Sequence, residues 1–118
     1  MLANADWVDS HKDATQRVVN ALVATLAWMK THTAADVAAV MPADFVSNPL
    51  TSKDEYISAL QKDWGQFNLD GVGIMPENGP QTVNDIEKAA GKIKGTADLS
   101  KTFTNDFVIA AQKQEGIK

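Results

Sequence analysis

From Ser10 to about His32 the chain reads SHKDATQRVVNALVATLAWMKTH, without glycine or proline, and its apolar residues recur at the three- and four-residue intervals of a helix. Placed at steps of about 100°, Trp28, Ala21, Ala14, Val18, Met29, Leu22, Leu26, Val19 and Val23 share an arc wider than half the circumference. Arg17, Gln16, Asn20 and Lys30 are left for water. Ser10 with Asp13 gives a variant capping box at the entrance. A helix apolar over most of its girth belongs inside a larger body of protein, so this one predicts a covering element beyond what four short helices supply.

Those four follow from the same kind of pattern. Thr33 to Asp36 repeats the cap signal and starts a short helix that Pro42 ends or bends. The segment PADFVSNPLTS is a connector, with turn chemistry at Asn48-Pro49. Ser52 with Glu55 is a full capping box, after which Tyr56, Ile57, Leu60, Trp64 and Phe67 fall at helical spacing. The stretch NLDGVGIMPENGP is irregular. Pro80 then opens a helix with an apolar stripe of Val83, Ile86, Ala89, Ala90 and Ile93, stopped by glycines at 91 and 95. In the last segment, DLSKTFTNDFVIAAQ, Thr104 is placed to cap, and Phe103 with Val108 to form a hydrophobic staple. Only Met1 to Ala5 has the look of a strand, too short to stand alone. The expectation is a mainly α chain of about five helices, with residues 1–118 forming one helical segment.

Composition narrows the partners. With 118 residues, 44% of them apolar and 22% charged, one globular unit is expected. Fifteen acidic residues outnumber eleven basic ones, which are scattered, so nucleic acid is not an expected partner. There is no cysteine for a disulfide or a thiolate site. No apolar run approaches the roughly 18 residues of a membrane span, so membrane insertion is not expected either. The opening MLANADWVDSHK lacks the basic start and apolar centre of a signal peptide.

Candidate chemistry is sparse. Most aromatic residues lie on apolar helical stripes and read as core. Trp7, in a loop-like stretch beside Asp6, is the exception and the one candidate ligand-binding residue. His11 and His32 share no helical face with a carboxylate at metal-binding spacing, so no metal ligand is assigned. The run Asp70-Gly71-Val72-Gly73 is dense in glycine, but no predicted strand precedes it and no lysine–hydroxyl pair follows; it reads as a turn. Asp36, Asp44, Asp54, Glu55 and Asp63 sit in first turns or on exposed faces, where the helix dipole accounts for them. No catalytic residue and no cofactor is expected, and the chain does not read as an enzyme.

Taken in order, DWVDSHKDATQRVVNALVATLAWMKTHTAADVAAVMPADF, NLDGVGIMPENGPQTV and DLSKTFTNDFV resemble the C-terminal part of ABC-importer substrate-binding proteins of the nitrate, sulfonate, taurine and thiamine-pyrimidine-precursor class. The resemblance spans essentially the whole chain. Its most specific element is the closing DLSKTFTNDFV, similar to the family's ending of Asp, Leu or Ser, Lys-Thr-Tyr/Phe-Thr-Asn-Glu/Asp-Phe. The Asp-Gly turn before a Gly-Pro helix start supports it. Such proteins have an N-terminal signal and two α/β lobes around a cleft, and the segments matched here lie beyond the last hinge region.

The resemblance implies the helical C-terminal portion of a type II periplasmic binding fold. The parent would be a periplasmic, non-catalytic carrier that closes over a small organic or oxyanion solute and delivers it to an ABC permease. It also implies that DLSKTFTNDFV docks the last helix through Phe103 and Phe107, and that this portion alone does not hold the ligand. The wide apolar arc raises a different expectation for the chain by itself, a helical homo-oligomeric interaction module joined near Val19, Val23 and Leu26. A small helical enzyme is a third class, for which no constellation is found.

Overall fold

A computed structural model describes residues 3–117. These residues form seven α-helices: α1 Ala5–Ser10, α2 Lys12–Met29, α3 Ala34–Val40, α4 Ala43–Val46, α5 Lys53–Lys62, α6 Gly79–Ala89 and α7 Asp106–Gln114. Single 3₁₀ turns follow α5 at Trp64–Gln66 and precede α7 at Leu99–Lys101. Among the described residues there is no β-strand, only an isolated bridge between Asn48 and Thr51 where the Asn-Pro turn was expected. The chain is mainly α.

The local signals act where the sequence puts them, with three shifts. Thr33 with Asp36 and Ser52 with Glu55 form complete capping boxes. Ser10 does not cap α2, because its hydroxyl donates back to the carbonyl of Asp6 and closes the extra helix α1, which Asn4 caps through the N–H of Trp7. The expected strand at Met1 to Ala5 is not found: Met1 and Leu2 lie outside the described residues, Ala3 and Asn4 are irregular, and Ala5 opens α1. Thr104 caps one residue early, its hydroxyl accepting from the N–H of Asp106 at 3.1 Å, while Asn105 is the residue at the helix boundary.

The core is small and closes the two ends of the chain. Val19 and Val23 of α2 meet Ala111 of α7 and Val72 of the irregular stretch, with Leu26, Ala27, Phe107, Val108 and Ile117 packed around them. The junction expected at Val19 and Val23 is therefore interior, not interface. Gln16 and Asn20, expected to face water, instead stitch this seam. Gln16 Nε2 donates to the Phe107 carbonyl at 2.8 Å, and Asn20 Nδ2 to Gln114 Oε1 at 2.8 Å. Each bond satisfies a group at the edge of the apolar contact, where an unpaired one is costly. α3 packs on α5, and Met29, Ala34, Ala38 and Val46 are buried.

Of the aromatic residues other than Trp7, read mostly as core, none is fully buried, although Phe107 packs against the core from a half-buried position. Valine, alanine and methionine fill the interior, and Phe45, Phe67 and Phe103 are exposed. The whole is open. Its accessible surface is 8756 Å², where a compact monomer of this mass has about 6,200 Å². Its radius of gyration is 17.2 Å, where about 13.5 Å is usual for this length.

Candidate functional site

Trp7 lies on α1, not in a loop, and it has the partner that its sequence neighbourhood did not suggest. Its indole stacks on the imidazole of His11 with centroids 4.5 Å apart and planes 8° from parallel. His11 Nδ1 lies 2.9 Å from the Trp7 carbonyl, a bond in which the ring N–H donates. Trp28 and His32 repeat the arrangement at the end of α2, with centroids 3.9 Å apart and Nδ1 2.7 Å from the Trp28 carbonyl. In both cases a histidine four residues after a tryptophan donates to that tryptophan's carbonyl near a helix end; the Trp28 carbonyl also accepts from the N–H and hydroxyl of Thr31. The recurrence of Trp-x-x-x-His is legible in the sequence and is the signal that points to these pairs.

Trp7 is 47% exposed, and no described cavity includes it. The neighbouring hollow, about 420 Å³, is lined by Asp9, Ser10, His11, Lys12, Asp13, Ala14 and Arg17. Its charges are mixed and open to solvent, so it selects no ligand sign. The structure thus gives Trp7 a helix-ending role and does not bring a second candidate group to it.

The other concave region lies beside the irregular stretch. A hollow of about 460 Å³ is lined by Asn68, Gly71, Ile74 and Pro76. The loop forming it is held by three amide side chains. Asn68 accepts from the N–H of Gly71 and donates to the carbonyl of Ile74. Gln112 donates to the carbonyls of Gly71 and Val72 at 2.9 and 3.2 Å. Asn105 pairs with both the N–H and the C=O of Met75, as a strand neighbour would. Between these anchors Val72 has φ +44°, a left-handed conformation in which a β-branched residue is a true outlier. Its side chain fills the core between α2 and α7, so packing holds the strain. Asn105 and Gln112 belong to the closing segment, which makes that segment the anchor of this loop as well as a helix. Phe107 is an apolar anchor as expected; Phe103 is exposed and is not.

Electrostatics add no reactive group. The Thr33 hydroxyl, together with the Thr33 N–H, holds the Asp36 carboxyl below its usual value. The Ser52 N–H and hydroxyl do the same for Glu55. Asp98 is lowered by the Ser100 hydroxyl and then by Lys101, whose Nζ is 3.2 Å away. All three are exposed helix or turn caps. Among the described residues no three histidine or acidic side chains converge as a metal site, and no helix is long and apolar enough to cross a membrane.

Comparison with protein-family models, with curated proteins and with solved structures finds no match for this chain. The described residues leave several large apolar side chains uncovered. Val18 and Leu22 expose the flank of α2 that turns away from α7, and Val40, Phe45 and Leu50 are exposed from α3 to the connector. On α6, Val83 and Ile86 face solvent.

Proposed function

We propose that this chain is the C-terminal helical portion of a periplasmic, non-catalytic solute-binding protein that serves an ABC importer of the nitrate, sulfonate, taurine and thiamine-pyrimidine-precursor class. The observation that carries the reading is the surface excess of about 2,500 Å² over a compact monomer, together with the large apolar side chains left exposed on α2, α3 and α6. Such faces are made to be covered. The covering body in this reading is the first lobe, against which α2 and the closing helices rest, while the cleft that holds a small organic or oxyanion solute lies between lobes. The closing segment then has two tasks, docking α7 on α2 and fixing the Asn68–Met75 loop through Asn105 and Gln112.

The test is to join the chain to the product of the reading frame immediately upstream of Met1. Calorimetry with taurine, an alkyl sulfonate, nitrate and a hydroxymethylpyrimidine should give stoichiometric binding of one of them by the joined protein and none by the 118-residue chain. An upstream frame that encodes no α/β lobe, or a joined two-lobed protein that binds none of the four, overturns the reading.

A further inference from the structure

Of the seven asparagines in the chain, six have a side-chain hydrogen bond. The side chain of Asn78 has none among the described residues; its main-chain carbonyl starts α6, accepting from the N–H and the hydroxyl of Thr82, both at 3.0 Å. Asn78 is exposed, and it is the one asparagine followed by glycine. That pairing has a chemistry of its own. Glycine has no Cβ to shield its main-chain nitrogen, so the nitrogen of Gly79 can attack the side-chain carbonyl carbon of Asn78. The bond from Gly79 N to Asn78 Cγ forms, the Cγ–Nδ2 bond breaks, and ammonia leaves with the proton of the Gly79 N–H. Water then opens the cyclic imide. Attack at Cγ leaves an aspartate, and attack at the main-chain carbonyl carbon leaves an isoaspartate, in which the chain runs through the side chain. Water is the only co-reactant.

The folded turn holds this reaction back. Asn78 has ψ −4°, which nearly eclipses the Gly79 nitrogen with the main-chain nitrogen of Asn78 and keeps it away from the side chain, so ring closure requires rotation about the Cα–C bond. The Gly79 N–H is also engaged with the Pro76 carbonyl at 2.9 Å, a bond that this rotation breaks. Both restraints are local. None of the helix pairs that pack closely involves α6, and neither Asn78 nor Gly79 belongs to the apolar cluster of α2 and α7. Openings confined to such a segment cost less than global unfolding. We propose that Asn78 is a deamidation site of this chain, that opening of the α6 entrance sets its rate, and that its two products act on α6 in opposite senses. An aspartate puts a negative charge at the cap position, where the helix dipole favours it. An isoaspartate adds a methylene to the main chain and displaces the carbonyl on which Thr82 starts the helix. This goes beyond the solute-binding reading and stands without it.

The full 118-residue chain, held in mildly alkaline buffer and followed by peptide mass mapping, should exchange amide for acid at Asn78 before any other asparagine, with isoaspartate among the products. In denaturing urea the rate at Asn78 should rise about 5- to 30-fold, the factor that corresponds to about 1 to 2 kcal/mol of protection by the folded turn. Gly79→Ala should slow the reaction, since the added Cβ covers the nitrogen and comes 2.6 Å from Met75 Sδ in the folded chain. It should do so in urea as well, which separates the chemistry from any loss of folding. Freshly purified Asn78→Asp should equal or exceed the parent in helical dichroism, and the isoaspartate fraction of the aged parent should fall below it. Another asparagine changing first, equal rates at Asn78 with and without urea, a Gly79→Ala chain that reacts as fast as the parent, or an isoaspartate fraction with undiminished helix overturns the proposal.

Discussion

Helices α6 and α7 run 11 and 9 residues and stop in the same way, at Gly91 with φ +70° and at Gly116 with φ +69°. In each, the residue after the glycine donates back to the third residue from the helix end, Lys92 to Glu87 and Ile117 to Gln112, both at 2.9 Å. Their fates differ. α7 buries Ala111 completely against α2 and places Ile117 on the core, while α6 turns Val83 and Ile86 to solvent. Capping and stop signals decide that a helix forms and where it ends; what it packs on is decided by partners elsewhere in the chain. α7 has its partner in α2 at a separation of 91 residues, and α6 has none among the described residues.

The largest break in this comparison should come from Val23→Lys. Val23 is 1% exposed, and an unpaired charge there costs several kcal/mol, comparable with the whole stability of a small domain, about 5 to 15 kcal/mol. The cooperative thermal transition followed by dichroism should disappear. The same change at Ile86 should leave that transition in place. Next, Gln112→Ala strands the Gly71 and Val72 carbonyls and should cost about 1 to 3 kcal/mol in denaturant unfolding, whereas Gln81→Ala, which removes only an exposed bond to Asp85, should stay within about 0.5 kcal/mol.

A smaller loss should come from the two stops themselves. Gly91→Ala and Gly116→Ala each force a side chain into the left-handed region at a cost of about 1 to 2 kcal/mol. Only Gly116→Ala should lower the unfolding midpoint, because Ile117 is tied to the core and the end of α6 is free to fray.

The smallest effect is on pH. Asp36 and Glu55 have their carboxyl values lowered by the caps, from 3.8 and 4.5, so the folded state binds fewer protons than the unfolded one. Their contribution is full above those values and is lost as pH falls through the lowered ones. Helical dichroism from α3 and α5 should therefore decline in acid. Replacing Asp36 by Asn and Glu55 by Gln should remove that decline, and an unchanged acid limb would show that the caps do not set it.

How much was legible depends on how local the cause is. The capping boxes at Thr33 and Ser52, Pro80 at the start of α6 and the glycine at 91 are short-range features, and each acts where the sequence places it. α1 was missed because Asn4 was read with a possible strand and Ser10 as the entrance to the next helix, although the six residues Ala5–Ser10 contain neither glycine nor proline. The two Trp-x-x-x-His pairs were legible only as a repeat of the same spacing. The direction of the wide α2 arc was not legible at all. Periodicity gives an arc, but the choice of Val19 and Val23 over Val18 and Leu22 as the inner side depends on where Gln16 and Asn20 meet the Phe107 carbonyl and the Gln114 amide of α7. The placement of Phe107 likewise depended on which side of α7 faces α2, and Phe103 lies ahead of that helix.

The tie between Gln16 and Phe107 across nearly the full length of the chain also fixes when the molecule can fold. During synthesis α2 is made well before the residues that bury Val19 and Val23, since its partner α7 lies 91 residues further on. Closing so long a loop is entropically slow compared with forming local helix contacts. Between the synthesis of α2 and that of α7 the inner face of α2 lacks its α7 partner, the condition under which partly folded chains aggregate or engage chaperones. A stop codon that removed only α7 would leave most of the helices encoded and the core unable to form.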